Sequence, residues 1–253
     1  VWMVSQSGKS AEIISAIDYK RMPKPAALIA IVNDLESPLA KAAQYQIPIC
    51  AGAEHTVSTR TYVNTLAVGQ LTALALLGQD VEPALKELMR TASAMGAYLA
   101  DWKSHVQKIG KAIGFPKRLA TLGRGASLAA TYTGALILGE ASKYMATPYQ
   151  AGEFRHGPLE LASPDVTVLL FAGPQETRDL NLRLLKDLRG YQVSAFWIGS
   201  EKNEWQIEIP DTPAIGMPLM EILPVQMLTI HLAEQIGVEP GHFFRSGKIT
   251  LSE

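Results

Sequence analysis

The sequence contains a single cysteine, Cys50, so no intrachain disulfide framework can form, and the chain suits a reducing compartment such as the cytoplasm. It has no excess of either charge: 23 Lys and Arg stand against 24 Asp and Glu, a net charge of −1. That balance provides no basic field for nucleic acid or an anionic membrane, so an anionic ligand has to be held by local geometry. Long hydrophobic runs are missing as well. Charge, proline or uncharged polar residues break each apolar stretch well before the ~18 residues of a membrane span, and no secretory leader pattern is visible. What is present is 47% hydrophobic and 19% charged residues, the composition of a globular protein with ample core.

Apolar strands alternate with helical patterns along the chain. Val1–Val4, Ala27–Val32 and Ile47–Cys50 read as strands, with helical spacing in Ala11–Tyr19 and Pro38–Ala43. Strands that are apolar throughout indicate a parallel sheet covered on both faces. Val63–Leu77 carries almost no charge and reads as a helix buried on most sides, whereas Val81–Ile113 is amphipathic. A second alternation follows, with strands at Leu119–Leu122, Val166–Phe171 and Val193–Ile198 and helices at Leu128–Tyr144, Thr177–Arg189 and Met220–Gly237. The expected organisation is a first module over 1–80, a helical connector over 81–115, a second module over 116–240 and a tail over 241–253. Phe171-Ala172-Gly173 with Glu176-Thr177 holds the place in the second half that Ser5–Ser10 holds in the first. The second half has a strand and glycine turn upstream of that place. On this comparison the first module is truncated at its front by roughly fifty residues, about a third of a typical domain.

Five segments are candidates for the site. Ser5-Gln6-Ser7-Gly8-Lys9-Ser10 joins a strand to a helix, where hydroxyls and free amides suit an anion; an N-cap without ligand uses the same groups. Its spacing is not that of a Walker loop, and Lys9 is expected to point to solvent. Glu54-His55-Thr56-Val57-Ser58-Thr59-Arg60-Thr61 precedes the low-charge helix and reads either as a capping segment or as further hydroxyls for the same ligand. Glu140 sits among Ala135, Leu136, Leu138 and Ala141; a carboxylate shielded from water there suits proton abstraction, and one on the polar side of the helix does not. His156, just before Gly157-Pro158, is a loop histidine open to titration or merely bonded to backbone. Gly247-Lys248 in the tail reads by itself as solvated surface.

Ser5-Gln6-Ser7-Gly8, Glu54 with Ser58-Thr59-Arg60, Gly123-Arg124-Gly125, Gly134-Ala135-Leu136 with Glu140, and Gly152-Glu153-Phe154-Arg155-His156-Gly157-Pro158-Leu159 occur in an order that resembles the double sugar-isomerase-domain (SIS) family across the chain. The resemblance implies an α/β fold of two SIS modules, each a parallel sheet flanked by helices, in a homodimer that takes a phosphorylated sugar. It implies Ser5, Gln6, Ser7 and Ser10 as the phosphate loop, with Ser58 and Gly247 contacting substrate. It also implies Glu140 as the carboxylate that shuttles a proton between C1 and C2, His156 as the ring-opening histidine and Lys248 as a Schiff-base lysine. No metal or cofactor is expected, because a carboxylate can relay the proton unaided. A glutamine-using branch of the family has a lysine where Ile137 stands and an arginine where Phe244 stands. The expected activity is therefore stand-alone isomerisation or deamination of a hexose 6-phosphate such as fructose 6-phosphate or glucosamine 6-phosphate. The rivals are a glutamine-dependent aminotransferase lacking its glutaminase part in this chain and a non-catalytic phosphosugar sensor.

Overall fold

The computed structural model describes residues 1–19, 23–245, 247 and 249. The chain forms two compact units, Val1–Ala84 with Phe243–Glu253, and Leu85–His242. The first holds a parallel sheet in the order β1 (Trp2–Ser5), β2 (Ile29–Val32), β3 (Tyr45–Pro48). Side chains alternate across a strand, so β2 serves two cores. Leu28, Ala30 and Val32 pack with Leu39 and Ala40 of α2 (Pro38–Ala42) and with Ile13 of α1 (Ala11–Ala16). Ile31 packs with Ile49, Ala51 and Val68 of α3 (Arg60–Leu76).

Two expectations change here. The strand expected to reach Cys50 ends at Pro48, and Cys50 is an exposed loop residue at φ +57. Polar side chains take over the backbone at this point: the Ala51 amide donates to Asn33 Oδ1 at 2.8 Å, and Asn64 donates to the Cys50 carbonyl at 3.0 Å. The low-charge helix expected to be buried on most sides is half-buried along most of α3, with only Thr61 fully buried and Leu76 exposed. A helix of 17 residues runs about 25 Å while strands of four residues run only about 13 Å, so the sheet cannot cover it.

In the second unit the single helical stretch expected over Val81–Ile113 is two helices, α4 (Glu82–Ala100) and α5 (Trp102–Ile113). The chain bends at Asp101 (φ −110, ψ 30), whose carbonyl accepts the His105 amide. The remaining elements are β4 (Arg118–Gly123), α6 (Leu128–Ser142), β5 (Ala146–Gln150), β6 (Val166–Phe171), α7 (Gln175–Gly190), β7 (Ser194–Gly199), β8 (Gln206–Glu208) and α8 (Met217–Gln235). Their sheet is parallel throughout in the order β5-β4-β6-β7-β8. All six residues of β6 are buried, as a continuous apolar run in a covered parallel sheet requires. The order reverses direction between β4 and β6, and in such sheets the crevice outside the carboxyl ends at that point is where ligands bind.

Helix α8 is buried along most of its length, and small residues let its neighbours approach. A Cβ on Gly110 of α5 would stand 2.3 Å from His231 Nδ1, and one on Gly134 of α6 would stand 3.2 Å from Val225 Cγ1. The same helix carries Glu221, fully buried, with Oε1 accepting the Gly173 amide at 3.3 Å and Oε2 unpartnered. Burial lifts this carboxyl from an ordinary 4.5 to about 7, only partly offset by the Ser127 hydroxyl, the Gly173 amide and the Arg178 charge.

Overpacking a close helix contact costs about 1–3 kcal/mol, so Gly110→Val should lower the thermal midpoint of the protein by several degrees in a melt followed by circular dichroism. Glu221 gives a pH-dependent result. The folded chain keeps this proton up to about pH 7 and the unfolded chain releases it near 4.5, so stability present below 4.5 is lost as pH rises toward 7. Glu221→Gln removes the ionisation. Relative to that variant, the wild type should lose on the order of 3 kcal/mol between about pH 4.5 and about pH 7 in urea denaturation; parallel curves would refute the buried carboxyl.

Candidate active site

In the first unit the loop after β1 has its amides held by its own hydroxyls. The Gly8 amide donates to Ser5 Oγ at 3.0 Å and the Lys9 amide to Ser7 Oγ at 3.2 Å. Each serine oxygen thereby accepts one bond and keeps its O–H free to donate elsewhere. Ser10 stands at the N-cap position of α1 without a side-chain cap bond, so its hydroxyl is not used on the helix. Gly8 is required by shape: φ is +62, and a Cβ would lie 2.3 Å from Ser37 Oγ. The loop is tied to the sheet through the Gln6 carbonyl, which accepts the Asn33 amide at 3.2 Å, and to α2 through the Gly8 carbonyl, which accepts the Leu39 amide at 3.3 Å. Lys9 does not simply point to solvent. It pairs with Asp34 at 2.6 Å and holds that carboxyl below its ordinary value.

Glu54 serves the N-terminus of α3. Its Oε1 accepts the Thr59 amide at 3.0 Å and the Arg60 amide at 2.8 Å, and Oε2 accepts the Thr61 hydroxyl. A carboxylate there satisfies orphan amides and complements the helix dipole, which is the capping role. Ser58 is half-buried immediately before this cap.

In the second unit Glu140 is half-buried in the last turns of α6, between the buried Ile137, Leu138 and Ala141 on one side and the exposed Leu136 and Gly139 on the other. Its backbone carbonyl accepts from Lys143, which also donates to the His242 carbonyl at 2.5 Å. His156 is exposed, at the end of a short 3-10 turn formed by Glu153–Arg155. That turn is fixed on three sides. Gln150 Oε1 accepts the Gly152 amide and, at 2.8 Å, the Glu153 amide. Phe154 is buried in the core, and Arg155 pairs with Asp187 at 2.6 Å. The sequence reading did not single out Gln150, Asn181 or Glu221; isolated polar residues carry no spacing signal until the fold places them. In the tail Gly247 is described and Lys248 lies outside the described residues. Among the described residues no group of three or more His, Cys, Asp or Glu is placed to hold a metal ion, and no helix is long and apolar enough to cross a membrane.

Residues 1–75 and 115–233 match the SIS domain family. A glutamine–fructose-6-phosphate aminotransferase (isomerizing) of Pyrobaculum aerophilum is 28% identical over 249 residues, covering 94% of this chain and 41% of that protein. The chain thus spans about two-fifths of the length of the curated relatives it matches. Among solved structures, the C-terminal domain of glucosamine-fructose-6-phosphate aminotransferase from Francisella tularensis superposes with a TM-score of 0.84 at 22% identity, covering 95% of this chain and 71% of that one. A glucosamine-6-phosphate deaminase from Thermotoga maritima gives 0.73 at 20% identity, with 95% and 71% covered. At these identities the two structures establish the fold alone. With the family match covering most of its length in two segments, one in each half of the chain, this chain belongs to the SIS domain family.

Proposed function

We propose that the chain is a phosphosugar isomerase that interconverts the aldose and ketose forms of a hexose 6-phosphate, or deaminates the 2-amino derivative, as a cytoplasmic homodimer. The observation that carries this reading is Glu140, a carboxylate half-withdrawn from water in an apolar helix; the resemblance to the SIS family implies that it shuttles the proton. In the reaction, the hydroxyls of Ser5, Ser7 and Ser10 with Gln6 hold the phosphate, and Ser58 and Gly247 contact the sugar. His156 takes the anomeric hydroxyl proton as the ring C–O bond breaks and the ring oxygen is protonated. Glu140 then removes the proton from C2 and returns it to C1 of the enediolate while the O2 hydroxyl proton passes to O1, so no redox partner is needed. The Lys248 amine condenses with the C2 carbonyl of the ketose, forming a C=N bond and releasing the carbonyl oxygen as water, when nitrogen enters or leaves. The phosphate binding energy, remote from the reacting carbons, orients them.

A second reading is favoured by one observation. The curated relatives are named aminotransferases and extend well beyond the matched region. On that reading the chain is the isomerase part of a glutamine-dependent aminotransferase.

Glu140→Gln should lower turnover of fructose 6-phosphate or glucosamine 6-phosphate by about 10²–10⁴ while calorimetric affinity for the sugar phosphate persists; wild-type turnover would remove the assignment. Ser7→Ala should weaken binding about 10–100-fold, the loss of a hydrogen bond to a charged group, with little change in the bound rate. Glutamine hydrolysis by the natural full-length polypeptide would select the second reading.

A further inference from the structure

A line of buried and part-buried polar contacts crosses the carboxyl ends of β4 and β6. It starts at Glu221, whose Oε1 accepts the Gly173 amide. Gly173 (φ +78) is held from the other side by Arg178, which donates to its carbonyl at 3.1 Å. Asn181, fully buried on α7, donates to the Phe171 and Ala172 carbonyls at 3.1 Å each. With both amide hydrogens committed there, its Oδ1 faces Arg124 and accepts from Nε at 2.9 Å. The guanidinium then reaches Gly152: a Cβ on that glycine would stand 2.7 Å from Arg124 Nη1. Gly152 opens the turn that ends in His156; its carbonyl accepts the Arg155 amide at 3.1 Å, and the Glu153 carbonyl accepts the His156 amide at 2.8 Å.

Arg124 is partly withdrawn from water and lies near a like charge, Arg155; both lower its proton affinity, so a position there is unfavourable without compensation. The bond to Asn181 supplies that compensation and holds the guanidinium beside Gly152. Arg155 pairs with Asp187.

We infer that Arg124 and Asn181, braced by Glu221 through the Gly173 turn, are positioning residues that set the place of the His156 loop. Neither need touch substrate: Asn181 holds Arg124, and Arg124 sets the floor on which Gly152 sits. This rests on the reading that His156 serves the sugar site. It adds that the carboxyl-end crevice of the second sheet is used to aim a loop.

The test is amide hydrogen exchange on the full chain, comparing residues 152–157 with the β6 strand, residues 166–171, as internal reference. Arg124→Met should raise exchange at 152–157 about tenfold and leave β6 unchanged, the pattern of local opening. Asn181→Leu should reproduce that effect at 152–157, and the double variant should open the loop no further than either single one, because both cut the same link. Additive effects, or unchanged exchange at 152–157 in folded Arg124→Met, would overturn the inference. If Asn181→Leu does not fold, Arg124→Met alone decides. A kinetic readout runs beside it. With hexose 6-phosphate, Arg124→Met should lower kcat with KM kept, and Arg124→Lys, which restores charge without the planar fork, should not rescue it; rescue by lysine would overturn the positioning role. A wild type that turns over no hexose phosphate refutes the functional reading, while the exchange result still judges the link.

Discussion

Helix α8 lies in the interior of the second unit, and a buried helix must meet a neighbour on every side at close to crystal density. That requirement selects small residues where backbones approach, as at Gly110 and Gly134. Gly216, just before the helix, would carry a Cβ 1.9 Å from Thr91 Oγ1. It also leaves Glu221 no route to water. A carboxyl in that position has to find its hydrogen bond inside the protein, and the Gly173 amide provides it. The turn after β6 is therefore shaped as much by the helix beneath it as by its own glycine.

The corresponding turn of the first unit solves a different problem. Among the described residues no buried acid lies under it; serine hydroxyls accept the loop amides instead, and the glycine is pressed against Ser37. A chain with a net charge of −1 has no general field for an anion, so any anion must be met by such directed donors. The two modules thus have a strand, a left-handed glycine and a helix at matching places, Gly8 at φ +62 and Gly173 at φ +78, and differ in what answers the amides.

Much of this was legible in the sequence. The continuous apolar runs of β2, β6 and β7 announced a parallel sheet, and the ordered motifs announced the family. Strands β5 and β8 were not legible. β5, Ala-Thr-Pro-Tyr-Gln, contains a proline and polar residues, and β8 has only three residues; neither gives an alternating or continuous apolar pattern. The capping work of Glu54 is one of the two readings its segment allows, because a carboxylate before a helix start has a local signature. The contacts of Asn181 and Glu221 had none. Their partners lie 57 and 48 residues away in sequence, and only the closing of the sheet brings them together.

The two outer strands of the second sheet also govern how copies of this unit can meet. β5 carries Pro148, which has no N–H to offer a further strand, and β8 is three residues long and followed by Pro210. Both borders are thereby blunted against strand-to-strand addition. The exposed apolar side chains of this unit stand elsewhere, among them Tyr132 and Leu136, one turn apart on α6.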